Sequence, residues 1–436
     1  MPNTSNSPNH LVRTPRPTYH TERDVKNGDK GMKKYVLLTS LLSLGACALH
    51  IDTEPGSNRL KNVSFDVLGL TSVQGDGVLS QQTRQLPSFN ALEARGPLDV
   101  DIRFGPTQSV IVQADSNLQG LIETSAAGGT LVIRTTANFR SHLPLKVSVV
   151  VPVLSRVANA GTGKMTIDGL NAETFDFSNS GTGKAELVGR AGQLQLSISG
   201  TGDVTSRDLQ ADRLTLKMHG TGDARLAGHI GDLTFNQKGT GDLQLDGLDG
   251  SADLSVHGTG NAQIGGKVAS LEVQKSGSGN LALDGLNGGK VNIKGNGTGN
   301  IQLRGHTGAV KLEMAGSTDL RAEGLDVTDV EVVLHGTGSA RLGTVKAERF
   351  QARLSGSGNL TAHGQARSVD LAVSGTGDAM LTQLSADDAR LQASGSGAIR
   401  TTVRNSVWAN AKGSGTITID GQPLQRDVTG KVKFTS

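Results

Sequence analysis

One short turn, Gly-Thr-Gly or Gly-Ser-Gly, returns fourteen times along this chain. The copies start at Gly161, Gly181, Gly200, Gly220, Gly239, Gly258, Gly277, Gly297, Gly316, Gly336, Gly356, Gly375, Gly395 and Gly413, always 18 to 20 residues apart. A fixed period of this length marks a solenoid, in which a unit too small to bury its own apolar face buries it against its neighbours. The middle residue always carries a hydroxyl, and in the copy at Gly316 the third glycine is replaced, giving Gly316-Ser317-Thr318.

Between the turns the residues alternate as strands do. After Gly241, Leu243 and Leu245 point one way and Gln244 the other, a break falls at Asp246-Gly247, and Leu248, Leu254 and Val256 follow before the next turn. The same frame gives Leu281, Leu283, Leu286, Val291 and Ile293 in a later unit, and Ile301, Leu303, Val310, Leu312 and Met314 in the one after. Five inward aliphatics per unit cannot offset the ordering of some nineteen backbones, so a unit folds only when stacked. The pattern predicts an all-β, right-handed parallel β-helix of about 19–20 residues per coil, since strands joined by crossovers prefer that hand. At ~4.8 Å per coil the fourteen repeats would extend for roughly 65 Å. Glycine at the turns is expected to supply positive φ and to let neighbouring backbones approach.

Other segments divide the chain further. Residues 1–31 read as a disordered or misassigned upstream extension. Lys33 and Lys34 then precede an apolar run ending Leu44-Gly45-Ala46-Cys47, so 32–47 reads as a signal peptide, too short to span a bilayer comfortably. Its ending resembles a bacterial lipoprotein signal, which implies lipidation at Cys47, the sole cysteine. Ala48 in place of Asp after that cysteine suits the outer membrane. Residues 48–84 read as a tether, 85–160 as N-terminal β coils and a cap, 161–415 as the fourteen-repeat β-helix, and 416–436 as a C-terminal cap. Within the last, Gln422 to Ser436 is expected to cover the open strand edge with charges such as Arg426, Lys431 and Lys433.

Charge and composition exclude several classes. Residues 1–47 carry seven Lys or Arg against three Asp or Glu, so without them the formal +3 becomes about −1 and no basic surface remains for nucleic acid. Both tyrosines, Tyr19 and Tyr35, precede Cys47, and Trp408 is the sole indole, so the usual aromatic platform for sugars is missing. Gly163-Lys164 and Gly183-Lys184 have the ending of a phosphate loop, but Met165 and Ala185 replace its hydroxyl residue, and Ala158 and Ser178 stand where its first glycine belongs. No cofactor is expected.

The column after the turns holds Asp203, Asp223 and Asp242, then Asn261, Asn280 and Asn300, then Asp319, Asn359 and Asp378. Stacked carboxylates suggest a calcium ladder at Asp203, Asp223 and Asp242, but like charges so close repel, and the bland reading is a row of solvated turn residues. His219, His257 and His335 share another column, two and four coils apart, too distant for joint chelation. Asp387-Asp388, the one paired carboxylate in the array, reads as a polar turn rather than an acid and base.

Three stretches carry a resemblance: Arg84-Gln85-Leu86-Pro87-Ser88-Phe89-Asn90-Ala91-Leu92, then Val151-Pro152-Val153-Leu154, and the closing Gly413-Ser414-Gly415-Thr416-Ile417-Thr418-Ile419-Asp420-Gly421. With the intervening repeats they look like the head GIN domain family of autotransporter adhesins, over about residues 72–436. The repeats outnumber those of typical members, and Thr318 departs from the pattern. The resemblance implies a secreted or envelope-attached β-helix. The expected protein is thus a non-enzymatic, envelope-anchored outer-membrane lipoprotein, adhesin or scaffold, facing the periplasm or the surface. Its partners would be the membrane, through the lipid, and envelope proteins or surface polysaccharide. Two alternatives stand beside it: a polysaccharide-binding or polysaccharide-degrading β-helix, and a calcium-stabilised surface fibre.

Overall fold

The computed structural model describes residues 47–53, 60–67 and 72–435, which fall into two bodies divided after Leu70. The leader and the upstream extension lie outside the described residues. In the first body Cys47–Thr53 pairs antiparallel with Leu60–Val67, with an irregularity at Asp52/Thr53. In the second, Val73–Gln74 pairs with Phe139–Arg140 and Leu79–Thr83 with Ser109–Asp115. The expected tether, 48–84, therefore contains strands. Leu79–Thr83 is polar and mostly exposed, so it lacks aliphatic alternation. It is held instead by its backbone ladder and by buried Gln119, which donates to the Ser80 carbonyl at 2.9 Å.

The rest of the second body is a parallel β-solenoid. One inward position runs in unbroken register through Met165, Ala185, Val204, Ala224, Leu243, Ala262, Leu281 and Ile301, each opposite the next coil's equivalent and each buried. Every aliphatic named from the pattern is buried too. Each coil has three straight sides separated by bends. Between the coils of Leu243–Val256 and Ala262–Lys275, for example, the register shifts only at Asp246/Leu248 and Gly250/Ser251.

The turn glycines line up along one edge. The hydroxyl residue's N–H donates to the first-glycine carbonyl one coil earlier, as from Thr201 to Gly181 and Thr221 to Gly200, both 3.1 Å. Their φ angles overturn half of the expectation, because among the corner glycines only Gly299 has a positive φ. They are glycine for want of space. A Cβ on Gly258 would lie 2.0 Å from the Gly239 carbonyl oxygen, and one on Gly260 2.1 Å from that of Gly241. Positive φ belongs to the bend after the first side, at Gly189, Gly228, Gly247, Gly266, Gly285, Gly305 and Gly364. That bend also absorbs the variable period: Ile167 to Leu170 faces the shorter Leu187 to Gly189, so the longer coil bulges there while its corner stays fixed.

The two ends differ. At the N-terminal end Leu79–Thr83 and Ile122–Ala127 add antiparallel strands outside the parallel stack, which closes it. At the other end the terminal stretch covers the open strand edge as expected, but by strand pairing rather than by charged side chains. Gln425–Gly430 and Val432–Thr435 continue the stack in parallel with Ser406–Ala411 and Ile417–Asp420. Arg426 lies over the Phe434 ring at 4.3 Å, covering core rather than edge.

Candidate functional site

Because the solenoid coils are stacked in this way, their outward side chains form columns, and those columns are where chemistry can sit. The column after the corner does a specific job. Asp223 and Asp242 accept, through Oδ1, the backbone N–H of Asp242 (2.9 Å) and Asn261 (2.7 Å) one coil on. Asp203 does the same for Asp223 at 3.2 Å, and Asn261, Asn280, Asp319, Asn359 and Asp378 continue the row. The corner breaks the strand ladder, and these side chains cap the amides left over, as an N-cap does for a helix. Asp and Asn interchange because either offers the one oxygen required. Lys184 and Arg225 flank Asp203 and Asp223 at 3.3 and 2.8 Å. Among the described residues no group of three or more His, Cys, Asp or Glu is placed to hold a metal.

The turn hydroxyls form an outward row beside it, with direct bonds between Ser317 and Thr337 (2.8 Å) and between Thr376 and Ser357 (2.9 Å). His219, His257 and His335 are exposed, and His335 Nδ1 lies 2.7 Å from Ser355 Oγ. Asp387 and Asp388 turn to different partners, Arg404 at 3.6 Å and the Ser406 hydroxyl at 2.5 Å, and form no acid and base pair. Trp408 is stacked beneath Arg390 at 4.4 Å. Cys47 opens a strand of the first body.

One concavity was missed in reading the sequence. It is a groove of about 790 Å³ along the third side of the coils, reaching from Arg213 to Arg349. It lies where the residue just before that side is trimmed to Gly231, Gly250, Ala269, Gly289 and Gly308, whereas Asp212 stands before this run and Thr328 and Glu348 after it. On its floor Asp253 and Glu272 are in register on adjacent coils, and Asn292 Nδ2 donates to both oxygens of Glu272 at 2.9 Å. Lys311 pairs with Glu331 at 3.0 Å. Asp232 accepts from the Ser251 N–H and hydroxyl at 3.0 and 2.9 Å. Those bonds, with Arg213 nearby, hold its carboxyl below the usual carboxylate range. A signal for the groove was present, a run of small residues one place before the third strand, but reading it requires the coil frame.

A buried cation lies elsewhere. Lys275 is 2% exposed, and its Nζ donates to the carbonyls of Gly277, at 2.8 Å, and Thr298 inside a corner. Burial pushes its pKa down.

These features define a class: an elongated parallel β-solenoid that offers polar ladders and an open lateral groove in place of an enclosed pocket. Family comparison agrees with it. The chain belongs to the family described as "Putative auto-transporter adhesin, head GIN domain", whose model matches residues 88–267, 252–347 and 341–423. Among solved structures it is similar to a "putative adhesin" from Bacteroides fragilis, with 16% identity and TM-score 0.36 over 62% of this chain and 99% of that one. It is also similar to one from Parabacteroides merdae, with 15% identity and TM-score 0.32 over 80% and 98%. A third, from Parabacteroides distasonis, shows 13% identity and TM-score 0.27 over 84% and 100%. Among curated proteins, none matches the chain.

Proposed function

We propose that this is a non-enzymatic envelope protein, anchored through a lipid on Cys47, whose solenoid acts as an adhesive stalk. The observation that carries the reading is the unbroken register from Met165 to Val432, which leaves lateral columns as the surface on offer. The family description supports adhesion, and Leu44-Gly45-Ala46-Cys47 supports the anchor. Both Glu272 oxygens accept from Asn292, which ties that side chain into the floor of the groove.

The test uses the full chain with its leader, in cells. Wild type should partition into detergent, be cut by protease on intact cells, and support attachment that a deletion strain loses. Cys47→Ser should move it to the aqueous phase and abolish attachment. Protection from protease with normal attachment of the deletion strain would replace adhesion by a periplasmic scaffold role.

A further inference from the structure

The groove on the third side has a chemistry that points to one kind of occupant. It crosses the strands rather than following them, from Asp232 to Asp329 over six coils, about 24 Å at ~4.8 Å per coil. A length many times one side chain, open along its course, suits an extended polymer lying parallel to the stack. An added peptide strand is disfavoured because the backbone beneath is already paired, coil to coil, through Ser251–Ser270 and Lys290–Ala309.

Charge narrows the choice further. Arg213, Lys290, Lys311 and Arg349 face the groove with five carboxylates, those of Asp232, Asp253, Glu272, Asp329 and Glu331. The four cations nearly balance the five carboxylates, and three of the carboxylates have cationic neighbours: Asp329 with Arg349 at 4.0 Å, Glu331 with Lys311, and Asp232 with Arg213. A surface so nearly balanced has little net field to draw a polyanion or a polycation. It does present short hydroxyl, amide and carboxylate groups, Thr234, Ser251, Asp253, Ser270, Glu272 and Asn292, at the repeat of the coils. That repeat, ~4.8 Å, is close to the length of one pyranose unit along a glycan chain. Adjacent carboxylates such as Asp253 and Glu272 are acceptors for sugar hydroxyls, and Ser251 and Ser270 can donate as well as accept.

We propose that this groove binds an extended, uncharged glycan chain along the solenoid axis, about one sugar per coil. The proposal rests on the adhesive reading and names its ligand class. With no aromatic side chain among the groove residues, single sugars should bind weakly and affinity should build with chain length, roughly up to five or six units, the number of coils spanned.

The experiment is calorimetric titration of the full chain with neutral β-linked gluco-, manno- and galacto-oligosaccharides of two to eight units, with oligogalacturonate and an extended peptide as the other arms. Affinity rising with length for at least one neutral series, then levelling, is the expected result. Ser270→Trp, which fills the middle of the groove, should weaken it by about tenfold or more. Gln302→Trp, an insertion of equal size on the first side, should leave it unchanged. Asp253→Asn with Glu272→Gln keeps the shape and should also weaken binding. Circular dichroism establishes that each variant is folded. Length-independent binding, binding of oligogalacturonate or peptide only, no binding in any arm, or equal effects of the two tryptophan variants would each overturn the proposal. Surface exposure and cell attachment are measured separately, so the groove can fail while the adhesive role stands.

Discussion

Replacing Gly260 by alanine tests why the corners are glycine. The new Cβ would sit 2.1 Å from the Gly241 oxygen and 2.5 Å from Gln237 Nε2, where ordinary contact is 3.4–4 Å. Two coils must therefore part locally by more than an ångström. The bonds at risk run from Thr259 N to Gly239 O and Gly258 N to Gln237 O, both 3.1 Å, from Leu243 N to Asn261 O at 2.8 Å, and from Gln237 Nε2 to Gly241 O at 2.7 Å. Four bonds at ~1 kcal/mol each put the loss near 4 kcal/mol. Two comparisons isolate the cause. Gly288→Ala meets nothing within 4 Å but must hold φ +83°, a cost of about 1–2 kcal/mol. Asp242→Ala removes one amide cap at the surface, a cost of about 1 kcal/mol. Urea unfolding of the three variants, followed by far-ultraviolet circular dichroism, should rank Gly260→Ala lowest by a clear margin. If Gly288→Ala is the more damaging, backbone angle rather than close approach governs glycine here, and the account of the corners is wrong.

Three further outcomes follow from the same geometry. Lys275→Met should stabilise the protein at neutral pH by about 1 kcal/mol or more, because Ile198, Met218 and Val256 fill the same place in other coils and the Gly277 carbonyl keeps its bond from Thr298 N. Its lowered pKa means the unfolded chain binds the proton more tightly, so the wild type should gain on this variant as pH rises from the folded value toward the ordinary lysine value; a gap that widens in thermal melts would refute it. Thr318→Val should raise stability by about 1 kcal/mol, since the Thr318 hydroxyl is buried without a partner, and a lower urea midpoint would show that it has one. Asp242→Asn should be neutral within about 0.5 kcal/mol at pH 7, as Asn261 performs the same task one coil away, and a loss comparable to Asp242→Ala would mean that the charge matters.

The period and the inward aliphatics were legible because both follow from the chain's own spacing. What the corner and the column after it do was less so, since each answer lies in the next coil. Gly260 is fixed by an oxygen of Gly241, and Asp242 by the amide of Asn261, contacts that no single repeat displays. The tether was misjudged because Leu79–Thr83 has no apolar alternation and is recruited by partners about thirty residues away. The terminal stretch covers the edge as its sequence suggests, but the means was hidden: its charges stand out, while the pairing of Val432–Thr435 with Ile417–Asp420 needs only the backbone.

The placement of the groove follows from where the solenoid can vary. Register shifts between coils fall at the bends, as at Ile167/Leu170, Ser206/Leu209 and Thr361/His363. The third side carries none from Thr174–Asn179 through Ser406–Ala411, whose neighbours pair one for one. A repeating ligand can match a repeating surface only where columns stay aligned over many coils, and the bend after the first side does not offer that length. The third side does, and from Gly231 to Gly308 its bordering bend carries nothing larger than alanine. Alignment and depth thus coincide at one place, which is why Ser270, at the middle of that run, is the residue to change first.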